Sequence, residues 1–335
     1  MTAKKQRPTL QNIADQVGVT KMTVSRYLRD PEKVSEAVGA KIAQAVEELG
    51  YVPNRAPDIL SKAKSYSIGV LVPSLTNQVF DEVLRGIESV IEPHGYQAML
   101  AHYGYSKRAE EKRIETLLSY NVDGMILSES YHTERAKRML NATGIPVVEI
   151  MDSASEPLQQ AVGFDNTKAS SEITNLLISK GRKNIVYLAA RMDERTKQKI
   201  KGFEQAVKEA GLEPKVVSTK KASSYTIGAE LTQIAREKYS QIDAIYCTND
   251  DLAIGAMFEC LRQGLKIPED ISIVGFHGHN ITSVVSPTLA TVITPREEMG
   301  KIAAEQLLKR IMLPNEPISE KIIELDTTIS IGESL

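Results

Sequence analysis

Apolar side chains recur every three or four positions along residues 10–17 and again along residues 21–28. This spacing places them on one face of an α-helix, so the pattern predicts two short helices. Thr9 is placed to cap the first helix, Gly18 to end it, and Thr20 to cap the second. Two helices joined by a glycine-containing turn form a helix-turn-helix, whose second helix buries one stripe and leaves a polar face free.

A third helix is predicted over residues 35–50, where apolar positions again follow helical spacing between a Ser35 cap and Gly50. Three such helices enclose a small core. Helix pairs with a glycine turn occur in DNA-binding proteins and in many other proteins. The periodicity alone therefore leaves both interpretations open.

From residue 67 onward, short apolar runs alternate with helical segments, as in a parallel sheet covered by helices on both faces. Residues 121–127, NVDGMIL, are echoed by residues 241–247, QIDAIYC, which predicts two similar lobes. The fold class is therefore α/β: a small all-α helix-turn-helix head and two doubly wound parallel-sheet lobes. The predicted strands are Ile68–Val72, Gln97–His102, Gly124–Leu127, Val147–Ile150, Ile185–Ala189, Lys215–Ser218, Ala244–Thr248 and Ile271–Val274, with helices beginning near Glu194, Tyr225 and Asp250.

The composition is that of a globular protein too long for a single core, with 335 residues, of which 42% are hydrophobic and 25% charged. The longest apolar runs have strand length, far short of the roughly 20 residues that cross a bilayer, so no membrane partner is expected. Cys247 and Cys260 are the two cysteines, and no secretory signal pattern precedes them. We therefore expect a cytoplasmic protein without disulfides.

Charge is unevenly distributed along the chain, although the net charge is only −2. Residues 1–65 hold 11 basic and 7 acidic side chains, whereas the remainder holds 30 and 36. Within the first 29 residues, 6 basic side chains accompany 1 acidic side chain. A basic head on an acidic body suits binding to a polyanion, and a solubilising basic tail is the alternative interpretation.

The motifs of common enzymes do not appear in the sequence. Neither a G-x-G-x-x-G segment after a predicted strand nor a G-x-x-x-x-G-K-[S/T] loop occurs. Of five histidines, only His277 and His279 are close in sequence, without the cysteine spacing of a zinc site. We predict no enzyme, no catalytic residues, no metal and no cofactor. A sugar-binding transport receptor would share the two-lobed plan, but it needs an export signal where the basic head stands.

The segment Leu10–Leu28, LQNIADQVGVTKMTVSRYL, resembles the DNA-binding head of the lactose/galactose repressor family. The similarity continues through Val34–Ser35 and residues 48–54, ELGYVPN, and extends to the last strand. The resemblance implies a sequence-specific transcription repressor that binds a double-stranded DNA operator. It also implies that the two lobes form an effector sensor like that of periplasmic binding proteins.

The resemblance assigns roles within the head. It implies that Lys21, Met22 and Arg26 read bases in the major groove. Arg26 is the strongest candidate because arginine donates bidentately to guanine, whereas Met22 offers only apolar contact. Contacts to phosphates position a head without reading sequence. The residues expected to make them are Thr9, Thr20, Thr23, Ser25 and Asn54.

Residues 55–66 form a short, weakly apolar linker between a head over residues 1–54 and a sensor over residues 67–335. Taken alone the linker reads as a tether, because helices this short are marginal in water. The resemblance implies instead a hinge helix that folds on DNA and inserts Leu60 into the minor groove. Pro57–Asp58 departs from the Ala-Arg pair common in the family, so a cation that would face phosphate is lost.

A ligand is expected between the lobes, because open α/β sheets bind ligands beyond the carboxyl ends of their strands. Polar segments follow predicted strands at residues 74–80, 191–199, 248–250 and 275–279. Helix capping explains part of that polarity, especially at Asp250. The resemblance supports four of the candidate effector-binding residues, namely Asp165, Lys199, Asn249 and His277. The full set of candidates is Ser74, Asn77, Phe80, Asp165, Arg195, Lys199, Asn249 and His277.

Two of these candidates depart from the family pattern, which has arginine at the position of Lys199 and aspartate at that of His277. Replacing an acid by histidine while Arg195 and Lys199 remain makes the site more cationic, and Arg191 is a further basic candidate. Basic side chains bind carboxylates strongly. The expected effector is therefore a sugar acid.

The segments at residues 54–60, 74–80 and 275–279 resemble the members of the family that respond to gluconate. We therefore expect gluconate or its 6-phosphate to release the repressor from genes of gluconate uptake and utilisation. Another sugar or sugar phosphate is the alternative. One head buries too little DNA for tight binding, so a homodimer on a palindromic operator is expected. The resemblance places its interface on helices near residues 80–90 and 254–261.

Overall fold

The computed structural model describes residues 7–54 and 64–335. The chain divides into two compact units, Met1–Ser65 and Tyr66–Leu335. The first unit is the head, and its helices confirm the three predicted from the sequence. They are α1 (Leu10–Val17), α2 (Lys21–Arg29) and α3 (Glu36–Leu49).

Local hydrogen bonds fix where the head's helices begin and end. The Thr9 hydroxyl accepts from the Asn12 amide at 3.4 Å, and the Asn12 side chain accepts from the Thr9 amide at 2.9 Å, which caps α1 reciprocally. Thr20 caps α2 by accepting from a first-turn amide at 3.2 Å. Gly18 ends α1 in a left-handed conformation with φ of 73°. Ser35 precedes α3, but its side chain makes no capping hydrogen bond.

The head has its own hydrophobic core, to which all three helices contribute. Each side chain in it is at most 2% exposed. Because these side chains occupy the inner faces, the opposite face of α2 is left to solvent. The buried residues are Ile13, Ala14, Val24, Ile42 and Ala45.

The second unit is the sensor. Its strands are β1 (Ser67–Val72), β2 (Gln97–His102), β3 (Gly124–Leu127), β4 (Val147–Ile150), β5 (Gln160–Gly163), β6 (Ile185–Ala189), β7 (Lys215–Ser218), β8 (Ala244–Cys247), β9 (Ser272–His277), β10 (Ala290–Ile293), β11 (Ile322–Glu324) and β12 (Thr328–Ser330). Its helices are α4 (Val79–Ile91), α5 (Lys107–Ser119), α6 (Glu134–Thr143), α7 (Asn166–Ser179), α8 (Glu194–Glu209), α9 (Tyr225–Lys238), α10 (Asp250–Arg262) and α11 (Arg296–Met312).

The strands form two six-stranded sheets, one for each lobe. The first sheet has the order β11-β5-β4-β3-β1-β2, and its neighbouring strands are parallel. The second has the order β12-β10-β9-β8-β6-β7, in which β12 pairs antiparallel with β10 and the other neighbours are parallel. The predicted fold class of two doubly wound lobes is confirmed.

The chain crosses between the lobes three times: from β5 to α7, from β10 to α11 and from β11 to β12. Helix α11 therefore returns to the first lobe and packs against α4. The two helices approach so closely that a Cβ atom on Gly300 would lie 2.2 Å from the Val83 carbonyl oxygen. Phe164 of the first crossover and Phe276 of the second sheet lie with ring centroids 6.3 Å apart.

The sequence-based strands agree with the structure except at a few boundaries. The strand expected to end at Val274 continues to His277, because Phe276 is buried and β10 pairs with β9 through His277. Four short strands, β5 and β10 to β12, have no counterpart in the prediction. The two lobes are therefore not simply the first and second halves of the sensor.

Three further findings concern the described part of the chain. No helix there is both long and apolar enough to cross a membrane. No group of His, Cys, Asp and Glu side chains in the same residues is arranged to hold a metal ion. Cys247 and Cys260 are buried as free thiols in the core of the second lobe.

Candidate functional site: a basic pocket in the sensor and an exposed helix in the head

The carboxyl ends of strands from both sheets converge on one buried pocket, as expected for doubly wound lobes. It encloses about 420 Å³ that protein atoms do not fill, part of it open to solvent. The first lobe contributes residues that follow β1, β2 and β4, and the second contributes residues near the ends of β6 to β9. The lining residues are Asn77, Val79, Phe80, Tyr105, Met151, Ala190, Arg191, Asp193, Arg195, Thr196, Lys199, Ser223, Thr248, Asn249 and His277.

The first turns of α8 carry much of the pocket's charge. Asp193 caps this helix by accepting from a first-turn amide at 2.8 Å. Arg195 donates to the Ser128 carbonyl at 2.8 Å and pairs with Glu129 at 3.4 Å, so it joins the second lobe to the first. Burial opposes the charge on Arg195, but Glu129 and Asp193 outweigh that effect and raise its pKa.

Lys199 lies one turn further along α8 and is 3% exposed. Its Nζ lies 3.1 Å from His277 Nε2 and 3.2 Å from the Thr248 carbonyl oxygen. The same atom lies 3.8 Å from the centroid of the Phe276 ring. Burial lowers the pKa of Lys199 to about 7. Burial, together with the neighbouring Lys199, lowers the pKa of His277 well below its usual value.

A third cation, Arg191, reaches the pocket from the end of β6. Arg191 Nη1 donates to the Tyr105 hydroxyl at 2.7 Å, and its guanidinium lies 4.6 Å from the centroid of that ring. Asn77 donates to the same hydroxyl at 3.0 Å. Arg191 and Met192 have φ of 67° and 52°, and His277 has φ of 105°. Non-glycine residues in this region are strained, and such strain clusters at functional sites.

The structure brings six of the eight predicted effector-binding residues to this pocket: Asn77, Phe80, Arg195, Lys199, Asn249 and His277. The other two do not line it. Ser74 bonds within its own turn, to Thr76. Asp165 caps α7 by accepting from the amides of Thr167 and Lys168, and it borders a different cavity. Helix capping, the alternative explanation for polar residues after strands, accounts for Asp165.

The cap of α10 is Asn249 and not Asp250, for which the sequence predicts that role. Asn249 caps this helix through the Leu252 amide at 3.2 Å while also lining the pocket. Asp250 instead accepts from the Thr291 hydroxyl at 2.6 Å and the His279 amide at 2.8 Å. Asp250 is fully buried, which raises its pKa to about 7. It stabilises the loop after β9, which carries His279.

Several lining residues have no counterpart in the sequence-based set. Tyr105 comes three positions after β2, so the rule that ligands bind at strand ends could have found it. Asp193 and Thr196 stand beside Arg195 within a segment that was recognised as polar. Nothing in the sequence marks Met151 or Ser223, because the lobe arrangement brings them to the pocket.

In the head, α2 presents the residues expected to read DNA. Lys21, Met22 and Arg26 are all exposed, and Met22 is 69% exposed. Thr20 is exposed, whereas Thr23 and Ser25 are half-buried on the sides of the same helix.

A groove lies where the first turns of α1 and α2 meet the segment after α3. Thr9, Lys21 and Asn54 all line it. Both helices direct their amino-terminal ends toward this region, and such ends attract anions such as phosphate. Leu60, the predicted minor-groove residue, lies outside the described residues.

Two family descriptions match the chain. Residues 9–54 match "Bacterial regulatory proteins, lacI family", and residues 65–330 match "Periplasmic binding proteins and sugar binding domain of LacI family". The chain therefore belongs to the LacI family of transcriptional regulators. The expected family is confirmed, and the match over the head sets aside the alternative of a transport receptor.

Individual relatives are similar to this chain along their whole length. The transcriptional regulator GntR of Escherichia coli (strain K12) is 58% identical over 332 residues, which cover 99% of this chain and 100% of that protein. IdnR of the same strain is 43% identical over 333 residues, with the same coverage of both chains. A solved LacI-family regulator from Silicibacter pomeroyi has a TM-score of 0.91 at 35% identity, covering 98% of this chain and 99% of its own. These relatives are transcriptional regulators and not enzymes.

Proposed function

We propose that this regulator is a repressor of gluconate uptake and utilisation genes and that gluconate or its 6-phosphate releases it from DNA. The observation that carries the proposal is the convergence of Arg191, Arg195 and Lys199 on one buried pocket. Three basic side chains in a site of this size favour a ligand that combines hydroxyl groups with an acidic group.

The three cations differ in how many of their hydrogen bonds and ion pairs are already made within the protein. Arg195 is engaged by Ser128 and Glu129, so it serves partly to join the lobes. Arg191 keeps its Nε buried without a hydrogen-bond partner among the described residues. Such an unsatisfied donor is costly unless a ligand or water completes it. Arg191 and Lys199 are therefore the groups best placed to receive an acidic effector.

The full-length similarity to GntR of Escherichia coli, the gluconate operon repressor, supports the proposed set of genes. Within the chain, the segments at residues 54–60, 74–80 and 275–279 favour gluconate among the possible sugar acids. Two of these segments supply pocket residues, namely Asn77 and Phe80 from the first lobe and His277 from the second.

The head is proposed to bind a palindromic operator as part of a homodimer. Arg26 donates to guanine, Met22 contacts a thymine methyl group, and Lys21 reads a neighbouring base. Phosphate contacts come from the remaining predicted residues. Two heads one helical turn apart provide the affinity that a single small head lacks.

Release requires the effector to have different affinities for two arrangements of the sensor. The pocket is built from both lobes, so a bound sugar acid favours the arrangement in which both sets of contacts form. We propose that this arrangement keeps the two hinge segments apart. By reciprocity, operator DNA then weakens effector binding by the same factor.

Footprinting of the full chain on DNA upstream of gluconate genes, with and without gluconate, tests the proposal. We expect a palindromic protected region that disappears when gluconate is added. Protection that appears only with gluconate would reverse the assigned direction of regulation. Neutral glucose and 6-phosphogluconate, added in parallel, distinguish gluconate from another sugar or a sugar phosphate.

The contribution of Arg26 is tested by Arg26→Ala. Losing a bidentate base contact should cost about 1–3 kcal/mol of operator binding and relax specificity at one base pair. Lys41→Ala is the matched control, because it removes the same charge from an exposed position on α3. Equal losses in both variants would show that Arg26 acts through general charge and does not read a base.

The hinge is tested separately by Leu60→Ala. If Leu60 wedges into the minor groove, this variant should lose operator affinity and retain gluconate binding. Unchanged operator affinity would eliminate the wedge. Thermal stabilisation by gluconate serves as the control for an intact sensor.

A further inference from the structure

We infer that the Lys199–His277 pair receives the carboxylate of the effector and takes up one proton when the effector binds. The inference rests on the proposed function. It assigns the acidic group of the sugar acid to a particular pair of side chains, and it makes recognition of that group dependent on pH.

The pair is buried and has only neutral partners in direct contact. Lys199 Nζ contacts the Thr248 carbonyl oxygen and His277 Nε2, and His277 Nδ1 lies 3.4 Å from the Thr294 hydroxyl. The imidazole can accept from a lysine ammonium only if it is itself neutral. Among the described residues, no ion pair joins Lys199 to a carboxylate, in contrast to Arg195 and Lys197. A full positive charge here lacks a counterion.

The described carboxylates around the pair form no ion pair with it. Asp193 and Asp250 favour the charge on Lys199 only from beyond ion-pair distance, and they accept hydrogen bonds from the capping amide of α8 and from Thr291 and His279 respectively. The arginines that face the pair oppose a further positive charge. The complete set of titratable groups that face the pair comprises Arg191 after β6, Asp193 and Arg195 at the start of α8, Asp250 on α10, His279 after β9 and Arg296 at the start of α11.

The consequence is a pair that carries less than one full positive charge when the pocket is empty at slightly alkaline pH. The pKa of Lys199, lowered by burial to about 7, agrees with this geometry. Because the two groups are in contact, the extra proton belongs to the pair and not to one nitrogen.

A carboxylate supplies the missing counterion. When it enters beside the pair, the charged form becomes favourable and one proton moves from solvent onto the pair. The effector stays ionised, no covalent bond between heavy atoms changes, and the complex gains one proton overall. A neutral polyol of the same shape provides no such counterion, so the pair also discriminates sugar acids from neutral sugars.

Isothermal titration of the full chain with gluconate measures this uptake directly. At pH 8, the binding heat should vary with the ionisation enthalpy of the buffer in the sense of proton uptake by the complex. At pH 6.5, the uptake should be smaller, because more of the empty pair is already charged. The dissociation constant should rise with pH above neutrality, by up to about tenfold per pH unit.

Two variants and a second ligand test whether the proton is taken up at Lys199. Lys199→Arg places a permanently charged group at the position, so its gluconate affinity should be nearly independent of pH. Lys201→Arg makes the same exchange at an exposed position on α8, and it should retain the wild-type pH dependence. Sorbitol, which has a hydroxymethyl group in place of the carboxylate, should bind at least about tenfold more weakly at pH 6.5 and without proton uptake.

The outcomes separate this inference from the proposed function. If wild-type protein binds gluconate with the same constant at pH 6.5 and 8.5 and takes up no proton, the inference is wrong and the effector assignment stands. Persistence of the pH dependence in Lys199→Arg would place the proton on another group and also overturn it. If neither gluconate nor 6-phosphogluconate gives heat or thermal stabilisation at pH 6.5, the proposed effector fails, and the inference fails with it.

Discussion

His132 shows how neighbouring residues decide the charge of a buried group. Its Nδ1 lies 2.9 Å from a Glu110 carboxylate oxygen and its Nε2 lies 2.7 Å from one of Glu149, with all three side chains 1% exposed. Burial favours the neutral imidazole, but the two carboxylates outweigh burial and raise the pKa of His132 to about 9. The cluster lies in the first lobe and takes no part in lining the effector pocket.

This cluster predicts a pH dependence of stability. The pKa of His132 in the folded chain is above its unfolded value of about 6.5. The stabilisation is therefore complete below pH 6.5 and is lost as the pH rises through 9. We expect the urea midpoint of the sensor to fall between pH 7 and 9.5.

The variant His132→Gln is the control for that dependence. It leaves two buried carboxylates without their cation, so it should cost about 3–5 kcal/mol at pH 7. It should also flatten the decline in stability between pH 7 and 9.5. A decline as steep in His132→Gln as in the wild type would assign it to other groups.

At the scale of elements, the contact between α4 and α11 depends on two glycines. Cβ atoms added to Gly86 and Gly300 would lie 2.1 and 2.2 Å from carbonyl oxygens of the opposite helix. Neither oxygen can move far, because both belong to helical backbone. The absence of side chains at these positions thus sets the distance between the helices.

We predict that Gly300→Ala destabilises the sensor by about 1–3 kcal/mol, despite the higher helix propensity of alanine. Urea unfolding of the full chain would measure the loss. Glu305→Ala, at an exposed position on the same helix, is the matched control and should change stability by less than about 0.5 kcal/mol. A stable Gly300→Ala variant would mean that the helices can separate without cost.

Within the fold, the positions of individual strands and helices were the features that the sequence predicted best. Strands such as β2, β3 and β6 were predicted at their observed bounds because each is an apolar run between polar segments. The strands β11 and β12 have only three residues each, too few for a periodic signal. The extension of β9 to His277 depends on pairing with a strand 13 or more residues away, which local pattern does not show.

Among the site residues too, some features could be predicted from the sequence and others could not. Lys199 and His277 could be predicted because the family resemblance located them, and their departures from the family pattern indicated an acidic effector. Their direct contact could not be predicted, since it joins α8 to β9 across the lobe. The left-handed backbone at Arg191 is equally invisible in the sequence, because arginine has no preference for that conformation.

At the scale of the whole molecule, the proposed function gives the chain two anionic ligands that bind in different surroundings. Operator DNA would contact exposed side chains of the head, where salt screens charge and competes for phosphates. The proposed sugar acid would contact buried groups, whose charges salt screens much less. We predict that raising salt from 50 to 200 mM weakens operator binding on the order of 10³-fold and gluconate binding less than about threefold.

Fluorescence anisotropy with labelled operator and calorimetry with gluconate, in the same buffers, would measure both responses. The comparison that tests the prediction is between the salt dependence of operator binding and that of gluconate binding. Similar losses for both ligands would indicate that the effector binds at an exposed surface and not in the pocket around Lys199.

The three crossings between the lobes set an order of events during synthesis. The last helix of the head ends at Leu49, so the DNA-reading part of the chain is complete early. The first lobe still lacks α11 and β11 until Glu324 has left the ribosome. A growing chain thus has its reading helix long before its first lobe is complete.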